Sequence, residues 1–317
     1  MSGLKFLIKF PCILVEIFFI VMVAFLHDLN LEIPNKQIVE IPQGSATKII
    51  SELSKTYPYF NRFDAKILSM FGHAKQGVLQ LKGENLKKVE FLYELTNAKP
   101  VLTNFTLIPG ETTVVFFKDL SEKFSFDFNK LQNEFVALAP FYEGFLVPDT
   151  YTISINDDEK KVIKHLVEKS YEVHKKLSNK AFGDFNQTAW QSVIIKASVI
   201  QKEAANADEM PIVASVIENR LAKNMKLQMD GTLNYGEYSH VRVTPERIRT
   251  DVSEFNTYLH DGLPKSAVCT VSKEAILAAL NPATTEYLYF MLDRKKGAHD
   301  FAKTLEEHQR NVAKARK

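Results

Sequence analysis

A glutamate at the end of an apolar helix is the feature of this sequence best suited to chemistry. Residues 194–205 read Ile-Ile-Lys-Ala-Ser-Val-Ile-Gln-Lys-Glu-Ala-Ala, a run of small and apolar residues that predicts a helix ending near Glu203. Glu203 follows Val199 and Ile200 by one helical turn, so it lies on the face that those residues bury. Burial raises the pKa of a carboxyl group, which suits a general acid working near neutral pH.

Two observations keep other interpretations of Glu203 open. Lys196 falls nearly on the same helical face two turns earlier, and a nearby cation would oppose the rise in the pKa of the carboxyl group. Alternatively, Glu203 is a solvated residue at a helix end, as most such glutamates are. Periodicity alone does not decide between these interpretations.

Sequence blocks on both sides of Glu203 resemble a known family. Val213, Val216, Ile217 and Arg220 or Leu221 recur at helical spacing and predict a second helix, for which Asp208 and Glu209 are suitable starting residues and Pro211 suits the first turn. The blocks are residues 142–151, 197–203, 213–221, 227–236, 255–264, 281–290 and 297–308. In this order, from about residue 39 to the C-terminus, they resemble the YceG-like family, the MltG-type endolytic murein transglycosylases.

The resemblance implies both an activity and a set of partners. The substrate would be peptidoglycan glycan strands, cleaved at the β-1,4 bond between N-acetylmuramic acid and N-acetylglucosamine. The product would carry a 1,6-anhydro-N-acetylmuramic acid end, and the enzyme would terminate growing strands beside penicillin-binding proteins or other peptidoglycan synthases. The reaction needs one acid and no cofactor, whereas an ordinary glycosidase needs two carboxylates.

The resemblance also gives roles to individual residues. Glu203 is the predicted catalytic acid, and Asn219 and Arg220 are predicted to brace the site from the second helix. The predicted substrate-binding residues are Glu143, Gln228, Asp230, Asn256 and Tyr258. For several of these a structural role is an open alternative: Glu143 as a clamp on the Gly144 turn, Gln228 and Asp230 as turn residues around Gly231, and Tyr258 as a packed core residue.

The sequence departs from the family pattern at three places. Gln201 stands where the family often has the first glutamate of Glu-Lys-Glu, which leaves Glu203 as the acid of that motif. Gly231 replaces the proline of Asp-Pro-Thr, and residues 265–268 replace Pro-Gly-Pro-Ile. We expect the last two changes to alter loop stiffness more than chemistry.

Two other functions remain compatible with these residues. The absence of a carboxylate at Gln201 fits a non-catalytic glycan-binding or scaffold protein of the cell-wall synthesis machinery. A muramidase that adds water would need a second carboxylate near Glu203, and Asp230 is the plausible one. The mass of the released product separates these functions.

The N-terminal sequence predicts a membrane anchor. Residues 10–26 are mostly apolar and about long enough to span a bilayer. Lys5 and Lys9 precede this run, while Asp28 and Glu32 follow it, so the N-terminus is predicted in the cytoplasm and the rest outside, in the periplasm or its equivalent. Glu16 within the run is unfavourable for insertion, and a cleaved signal peptide is the rival interpretation, although no small-x-small cleavage site precedes Asp28.

Composition excludes several other functions. Of the 317 residues, 40 are basic and 38 acidic, and no basic stripe with interleaved aromatic residues suggests nucleic-acid binding. Cys12 and Cys269 cannot pair in an anchored protein, and Cys269 is predicted to be a small core residue. The spacing of histidines, cysteines and carboxylates matches no metal site.

The predicted architecture is α+β. Residues 1–28 form the cytoplasmic tip and anchor, 29–37 a linker, 38–140 a LysM-like subdomain region and 141–317 the catalytic domain. The LysM-like prediction rests on two similar segments, residues 39–53 and 105–120, each with a strand, a Pro-Gly turn and an amphipathic helix. Further predictions are helices over residues 124–139, 157–186 and 273–280 and strands over 241–243 and 287–291.

Overall fold

The computed structural model describes the backbone of residues 2–315 and the side chains of residues 13–315. The chain divides into two compact units. The first extends to Thr103 and includes Ser154–Asn156, and the second comprises Asn104–Ile153 and the described residues from Asp157 onward. Both units mix helices with short strands, which confirms the α+β fold class.

The first unit begins with a long helix and continues with short elements. In chain order these are α1 (Ser2–Leu29), β1 (Glu32–Ile33), β2 (Ile38–Ile41), α2 (Ala46–Thr56), α3 (Asp64–Phe71), β3 (Gly77–Gln80), β4 (Leu86–Lys87), α4 (Lys88–Asn97) and β5 (Lys99–Pro100). Strand β3 pairs antiparallel with β2 and β5, and β1 pairs antiparallel with β4. The two helices between β2 and β3 bury Ile49, Ile50, Leu53 and Leu68 against Phe91 and Leu92 of α4.

Residues 29–37, predicted to be a linker, contribute to the packing of this unit. Ile33 in β1 is completely buried, and Asn35 is buried with its side-chain amide donating to the Gly83 carbonyl and its side-chain oxygen accepting from the Leu86 amide. The Leu31 and Gln37 carbonyls also accept from the Lys88 and Leu81 amides. The polar, proline-containing sequence resembles a linker because these pairings are with residues far along the chain.

The apolar N-terminal run lies in α1. Its described side chains are largely exposed, including Phe18 and Ile20. Within the part of the chain that the structure describes, no helix combines the length and hydropathy that a bilayer crossing requires. The side chains of residues 10–12, which open the predicted span, lie outside the described residues.

The second unit holds most of the predicted functional residues. Its elements are β6 (Leu102–Leu107), α5 (Thr113–Phe124), α6 (Phe128–Leu138), β7 (Asp149–Ser154), α7 (Glu159–Phe182), α8 (Gln187–Glu203), α9 (Met210–Ala222), α10 (Pro245–Thr250), α11 (Lys273–Leu280), β8 (Tyr289–Asp293), β9 (Ala298–Ala302) and α12 (Leu305–Ala315). Strand β6 pairs with β7, and β8 pairs antiparallel with β9. Helix α8 packs against α9 and α11 in the centre of the core.

A buried line of hydrogen bonds fixes the start of α8. The Trp190 indole donates to Nδ1 of His174 on α7 at 2.9 Å, so the other ring nitrogen of His174 donates to the Phe145 carbonyl at 2.7 Å. Burial lowers the pKa of His174 to about 4, so the ring stays neutral at physiological pH. The helix that ends at Glu203 is therefore held at its first turn by α7 and by the block around Phe145.

Most predicted elements are confirmed, and one strand is wrong. Helices α6, α7 and α11 lie within or at the predicted ranges, and strand β8 overlaps residues 287–291. Residues 241–243, predicted as a strand, are irregular. The carbonyl of Val241 accepts from the Asn234 side chain instead of a neighbouring strand, and Pro245 starts α10 immediately afterwards.

The predicted boundary near residue 140 differs from the division between the compact units. Both repeated segments have the predicted local plan, β2 followed by α2 and β6 followed by α5. However, Phe116, Phe117 and Leu120 of α5 join the core of the second unit. The repeat is thus a local resemblance between segments that pack into different cores.

Candidate active site

Helix α8 presents Glu203 to a cavity at its C-terminal end. Val199 and Ile200 are fully buried in the turn before it, as the periodicity predicts, whereas Glu203 is partly exposed. The Glu203 carboxylate accepts a hydrogen bond of 2.7 Å from the backbone N–H of Gly231. Glu203 lines a cavity of about 410 Å³ within the second unit.

The surroundings of Glu203 raise its pKa to about 7. Burial of the carboxyl group is the main cause, and the negative charge of Asp230 acts in the same direction. The Gly231 N–H and the Arg220 guanidinium oppose the rise because both favour the ionised form. A carboxyl group with this pKa is half protonated near neutral pH and can both donate and accept a proton.

Lys196 is not the cation that acts on Glu203. Its ammonium group binds the carboxylate of Glu218 on α9 at 2.5 Å. The relevant cation is Arg220, also on α9, which is buried beside the cavity.

Arg220 braces the site, as predicted, and also lines it. Its guanidinium donates to the backbone carbonyls of Leu288, Lys226 and Leu227 and lies over the Tyr289 ring. Asn219 donates to the carbonyls of Thr285 and Tyr287. The second helix therefore ties the strand that bears Tyr289 to the loop that begins at Lys226.

Three of the predicted substrate-binding residues line the cavity with Glu203. Tyr258 donates to Asp230 at 2.6 Å, and burial together with this bond raises the pKa of the Tyr258 phenol. Gln228 has a backbone φ of +49°, a left-handed conformation that is costly for a residue with a side chain. The full lining is Glu203, Arg220, Leu227, Gln228, Asp230, Tyr258, Tyr289, Phe290, Met291, Leu292, His299, Leu305 and His308.

Asn256, a predicted substrate contact, is completely buried and lies outside this lining. Its side-chain amide donates to the carbonyls of Ile248 and Asp251, and its side-chain oxygen accepts from the Tyr258 amide. All of these bonds are to backbone groups, so the structure gives Asn256 a positioning role beneath Tyr258 instead of a direct contact.

Glu143 lines a different cavity of about 430 Å³. Its carboxylate accepts from the backbone and hydroxyl of Thr113, the first residue of α5, and from the Gly144 backbone. Burial raises the pKa of Glu143 to about 7 against these hydrogen bonds. These hydrogen bonds fit the alternative role of Glu143 as a clamp on the Gly144 turn. Substrate binding by Glu143 stays a prediction.

Two of the three departures from the family pattern, Gln201 and Gly231, have distinct structural roles. The side-chain oxygen of Gln201 accepts from the Ser272 backbone at the start of α11, and Gln201 lies outside the lining of the Glu203 cavity. Gly231, where we expected the change to alter loop stiffness more than chemistry, contacts Glu203 directly through its N–H. A proline at this position has no N–H to offer.

Sequence patterns did not single out Glu209, Tyr289 and His308 as site residues. Glu209 reads as a helix-start residue, but it is buried and binds His299 across 90 positions of the chain. Tyr289 and His308 stack with ring centroids 5.3 Å apart at the cavity wall. These two pairs form only when the antiparallel β8–β9 ladder and α12 are in place. Local sequence patterns do not reveal such contacts between distant residues.

These features define an α+β protein with a protonatable carboxyl group in a polar, partly aromatic cavity. A profile of the YceG-like family matches residues 39–314, and the chain belongs to this family. It is 35% identical over 173 residues to the endolytic murein transglycosylase of Bacillus subtilis (strain 168), covering 53% of this chain and 46% of the relative. The corresponding protein of Streptococcus pneumoniae serotype 2 (strain D39) is 30% identical over 179 residues, 54% of this chain and 32% of the relative.

The aligned region spans less than half the length of these curated relatives. A solved structure of a YceG-like protein from Listeria monocytogenes superposes with a TM-score of 0.56 and 24% identity. The superposition covers 87% of this chain and 99% of the Listeria chain. This likeness shows a shared fold.

Proposed function

We propose that this chain is an endolytic lytic transglycosylase that cleaves the N-acetylmuramic acid–β-1,4–N-acetylglucosamine bond of peptidoglycan. The observation that carries the proposal is Glu203, a carboxyl group with a pKa of about 7 that faces a cavity of about 410 Å³. Family membership and the activity named for the Bacillus and Streptococcus relatives support it. No cofactor takes part in the proposed reaction.

The proposed reaction uses the two protonation states of Glu203 in turn. The protonated carboxyl group gives its proton to the glycosidic oxygen as the bond from that oxygen to C1 of the muramic acid breaks. The C6 hydroxyl oxygen then bonds to C1, and its proton must pass to a base. In the simplest form the Glu203 carboxylate accepts this proton and is reset for the next cycle.

The surrounding residues fit the demands of this reaction. Arg220 and the Gly231 N–H stabilise the carboxylate that forms after proton donation. Tyr258 and Asp230 offer a paired hydroxyl and carboxylate for sugar hydroxyl or acetamido groups. The apolar wall of Leu227, Phe290 and Met291 helps to exclude water, which would otherwise compete with the C6 hydroxyl.

We further propose that α1 anchors the protein in the cytoplasmic membrane with the catalytic unit on the outer side. The largely exposed apolar side chains from Ile13 to Leu26 and the basic residues Lys5 and Lys9 support this topology. The order β2-α2-α3-β3, with antiparallel outer strands, supports a LysM-like subdomain in the first unit. Peptidoglycan synthases that elongate the strands are the proposed partners.

A muramidase is the second candidate because Asp230 lies in the same cavity as Glu203 and raises the pKa of that residue. A carboxylate so placed could activate a water molecule. The Tyr258 hydrogen bond occupies one Asp230 oxygen, which favours a binding role. The scaffold alternative loses its main support, since Gln201 holds the start of α11 and does not line the cavity.

The mass of the products tests the proposal. Purified full-length protein in detergent is incubated with isolated sacculi, and the released glycans are analysed by mass spectrometry. We expect ends that are lighter than hydrolysed ends by one water, from cleavage inside strands as well as at their termini. Reducing ends alone would identify a hydrolase with Asp230 as the base, and no release would favour the scaffold.

The pH dependence of cleavage should report the protonation of Glu203. Since the acid must be protonated, kcat/KM is expected to fall as pH rises through about 7. Because the pKa of the group is higher in the folded protein than in the unfolded chain, its contribution to stability is greatest below the unfolded pKa and is lost as pH rises through about 7.

Glu203→Gln should therefore stabilise the protein more at pH 8 than at pH 5, measured as the difference in unfolding free energy from wild type. Glu143 has a similarly raised pKa and contributes the same trend to the wild type. Glu143 is present in both the wild type and the Glu203→Gln variant, so the difference in unfolding free energy between them reports on Glu203. A difference that is independent of pH would contradict the raised pKa.

Gly231→Ala should reduce cleavage by disturbing Glu203. A Cβ atom at position 231 would lie 2.7 Å from the Lys202 Cβ and 2.8 Å from the Glu203 carboxylate. The loop or the carboxyl group must shift to relieve this contact, and small displacements of a catalytic group are costly. We expect a loss in kcat of about 10-fold or more on sacculi. Gly83→Ala is the control and should leave kcat unchanged, because an added Cβ there makes only an ordinary contact of 3.6 Å with Leu86 and the backbone is not left-handed.

A further inference from the structure

A buried carboxylate and a histidine form a pair beside the Glu203 cavity. One oxygen of Glu209 accepts from the His299 backbone N–H at 2.6 Å, and the other lies 2.8 Å from Nδ1 of the His299 ring. The side chains are only 10% and 8% exposed. Glu209 ends the 3₁₀ turn after Glu203, and its own amide donates to Asn206, so the pair is anchored next to the catalytic helix.

The pair fixes which ring nitrogen is available to the cavity. A carboxylate accepts hydrogen bonds, so Nδ1 carries the proton in the bond to Glu209. Nε2 then has a free lone pair in the neutral ring, and His299 is part of the cavity lining. The rings of Phe290 and Phe301 lie at centroid distances of 5.1 and 6.2 Å and hold the imidazole in place. The other charged or titratable groups in the lining are Glu203, Arg220, Asp230, Tyr258 and His308.

We propose that His299 is the base that removes the C6 hydroxyl proton, with Glu209 as its positioning residue; this rests on the proposed transglycosylase function. Glu203 protonates the leaving oxygen, and the bond from C1 to that oxygen breaks. The C6 oxygen bonds to C1 while its proton moves to Nε2 of His299. The resulting imidazolium is stabilised by the Glu209 carboxylate. Its proton then returns to the Glu203 carboxylate through water admitted as the product leaves, which restores both groups.

This assignment removes a geometric difficulty of a single-residue mechanism. One carboxyl group that acts alone must reach both the departing oxygen and the C6 hydroxyl oxygen. Here the 2.7 Å bond from Gly231 restrains the Glu203 carboxylate. A base on β9 lets the two proton transfers occur at separate points of the cavity, so neither group has to move.

His299→Asn is the first test, because asparagine keeps a nitrogen donor near the position of Nδ1 but has no counterpart of Nε2. We expect kcat for anhydro-product formation on sacculi to fall by about 10²–10⁴-fold, with KM changed much less. His240→Asn is the matched control, since His240 also binds a glutamate, Glu111, at 2.8 Å but lies outside the cavity lining. Retention of kcat by His299→Asn would overturn the proposal.

Chemical rescue separates a base from a structural residue. His299→Ala leaves a space of imidazole size, and added imidazole should restore part of the lost rate in a concentration-dependent manner. The unfolding temperature of each variant is measured in parallel, and Glu209→Gln should lower kcat less than His299→Ala. A folded His299→Ala variant that imidazole does not rescue would overturn the proposal. The rescue is read as total bond cleavage, so it stays interpretable if the wild-type products prove to be hydrolytic and the transglycosylase function itself fails.

Discussion

Glu203→Gln is expected to abolish glycan cleavage while the protein stays folded. Glutamine has the shape of glutamate but cannot donate the proton that the leaving oxygen needs. General acid–base catalysis by one group is worth about 10²–10⁴-fold, and the loss in kcat should be at least that large. Thermal stability should be unchanged or raised, since a neutral group replaces a carboxyl group whose burial disfavours ionisation.

Two variants show whether this effect belongs to Glu203. Glu218→Gln makes the same substitution one helix away, where the carboxylate binds Lys196 and lies outside the cavity lining, so kcat should not change. Asp230→Asn should reduce kcat by less than Glu203→Gln, because an amide can still accept from Tyr258. A severe loss from Asp230→Asn together with a mild one from Glu203→Gln would refute the assignment and favour the muramidase.

The position of Glu203 at the end of an apolar helix could be predicted from the sequence because that signal is local, whereas its role as the acid was implied only by the family resemblance. The periodicity of residues 194–203 places Glu203 on the face of Val199 and Ile200, and helix α8 does end at Glu203. The raised pKa of Glu203 follows from its position on this buried face, because burial disfavours the ionised carboxyl group. The helices around it, such as α9 with Pro211 in its first turn, were predictable for the same reason.

The other parts of the site depend on contacts between distant residues. The cation beside Glu203 is Arg220, although Lys196 was the closer candidate along the helix, and only the packing of α8 on α9 decides between them. The Glu209–His299 pair joins residues 90 positions apart. Asn256 has the residue type of a sugar ligand, but its side-chain nitrogen and oxygen both bind nearby backbone groups. Residue type and spacing do not show which polar side chains are already hydrogen-bonded to backbone groups.

Lys88 illustrates the same limit in the first unit. Lys88 follows another lysine in the sequence and is completely buried. Its ammonium group lies 3.0 Å from the carboxylate of buried Asp64 at the start of α3 and 2.7 Å from that of Asp28 near the end of α1. This one cation therefore joins α4, α3 and α1, and the other oxygen of Asp64 is buried with no hydrogen-bond partner among the described residues.

Lys88→Met should destabilise the first unit by about 3–5 kcal/mol, because it leaves the Asp64 carboxylate buried without its cation. The double variant Lys88→Met with Asp64→Asn should recover much of this loss, since neither buried charge remains. Lys55→Met is the matched control: the Lys55–Glu52 pair is exposed, and such pairs contribute about 0–1 kcal/mol. Unfolding in denaturant is followed by circular dichroism for the whole chain and by fluorescence of Trp190, the single tryptophan, for the second unit.

The result separates two accounts of why a lysine is buried here. If the ion pairs hold α1 and α3 on α4, Lys88→Met should lower the unfolding midpoint seen by circular dichroism, and the double variant should restore most of it. If the lysine only fills space, methionine packs equally well, and the single variant should unfold within about 1 kcal/mol of wild type. The second outcome would show that Asp28 and Asp64 do not depend on Lys88, and that apolar packing alone attaches the end of α1 to this unit.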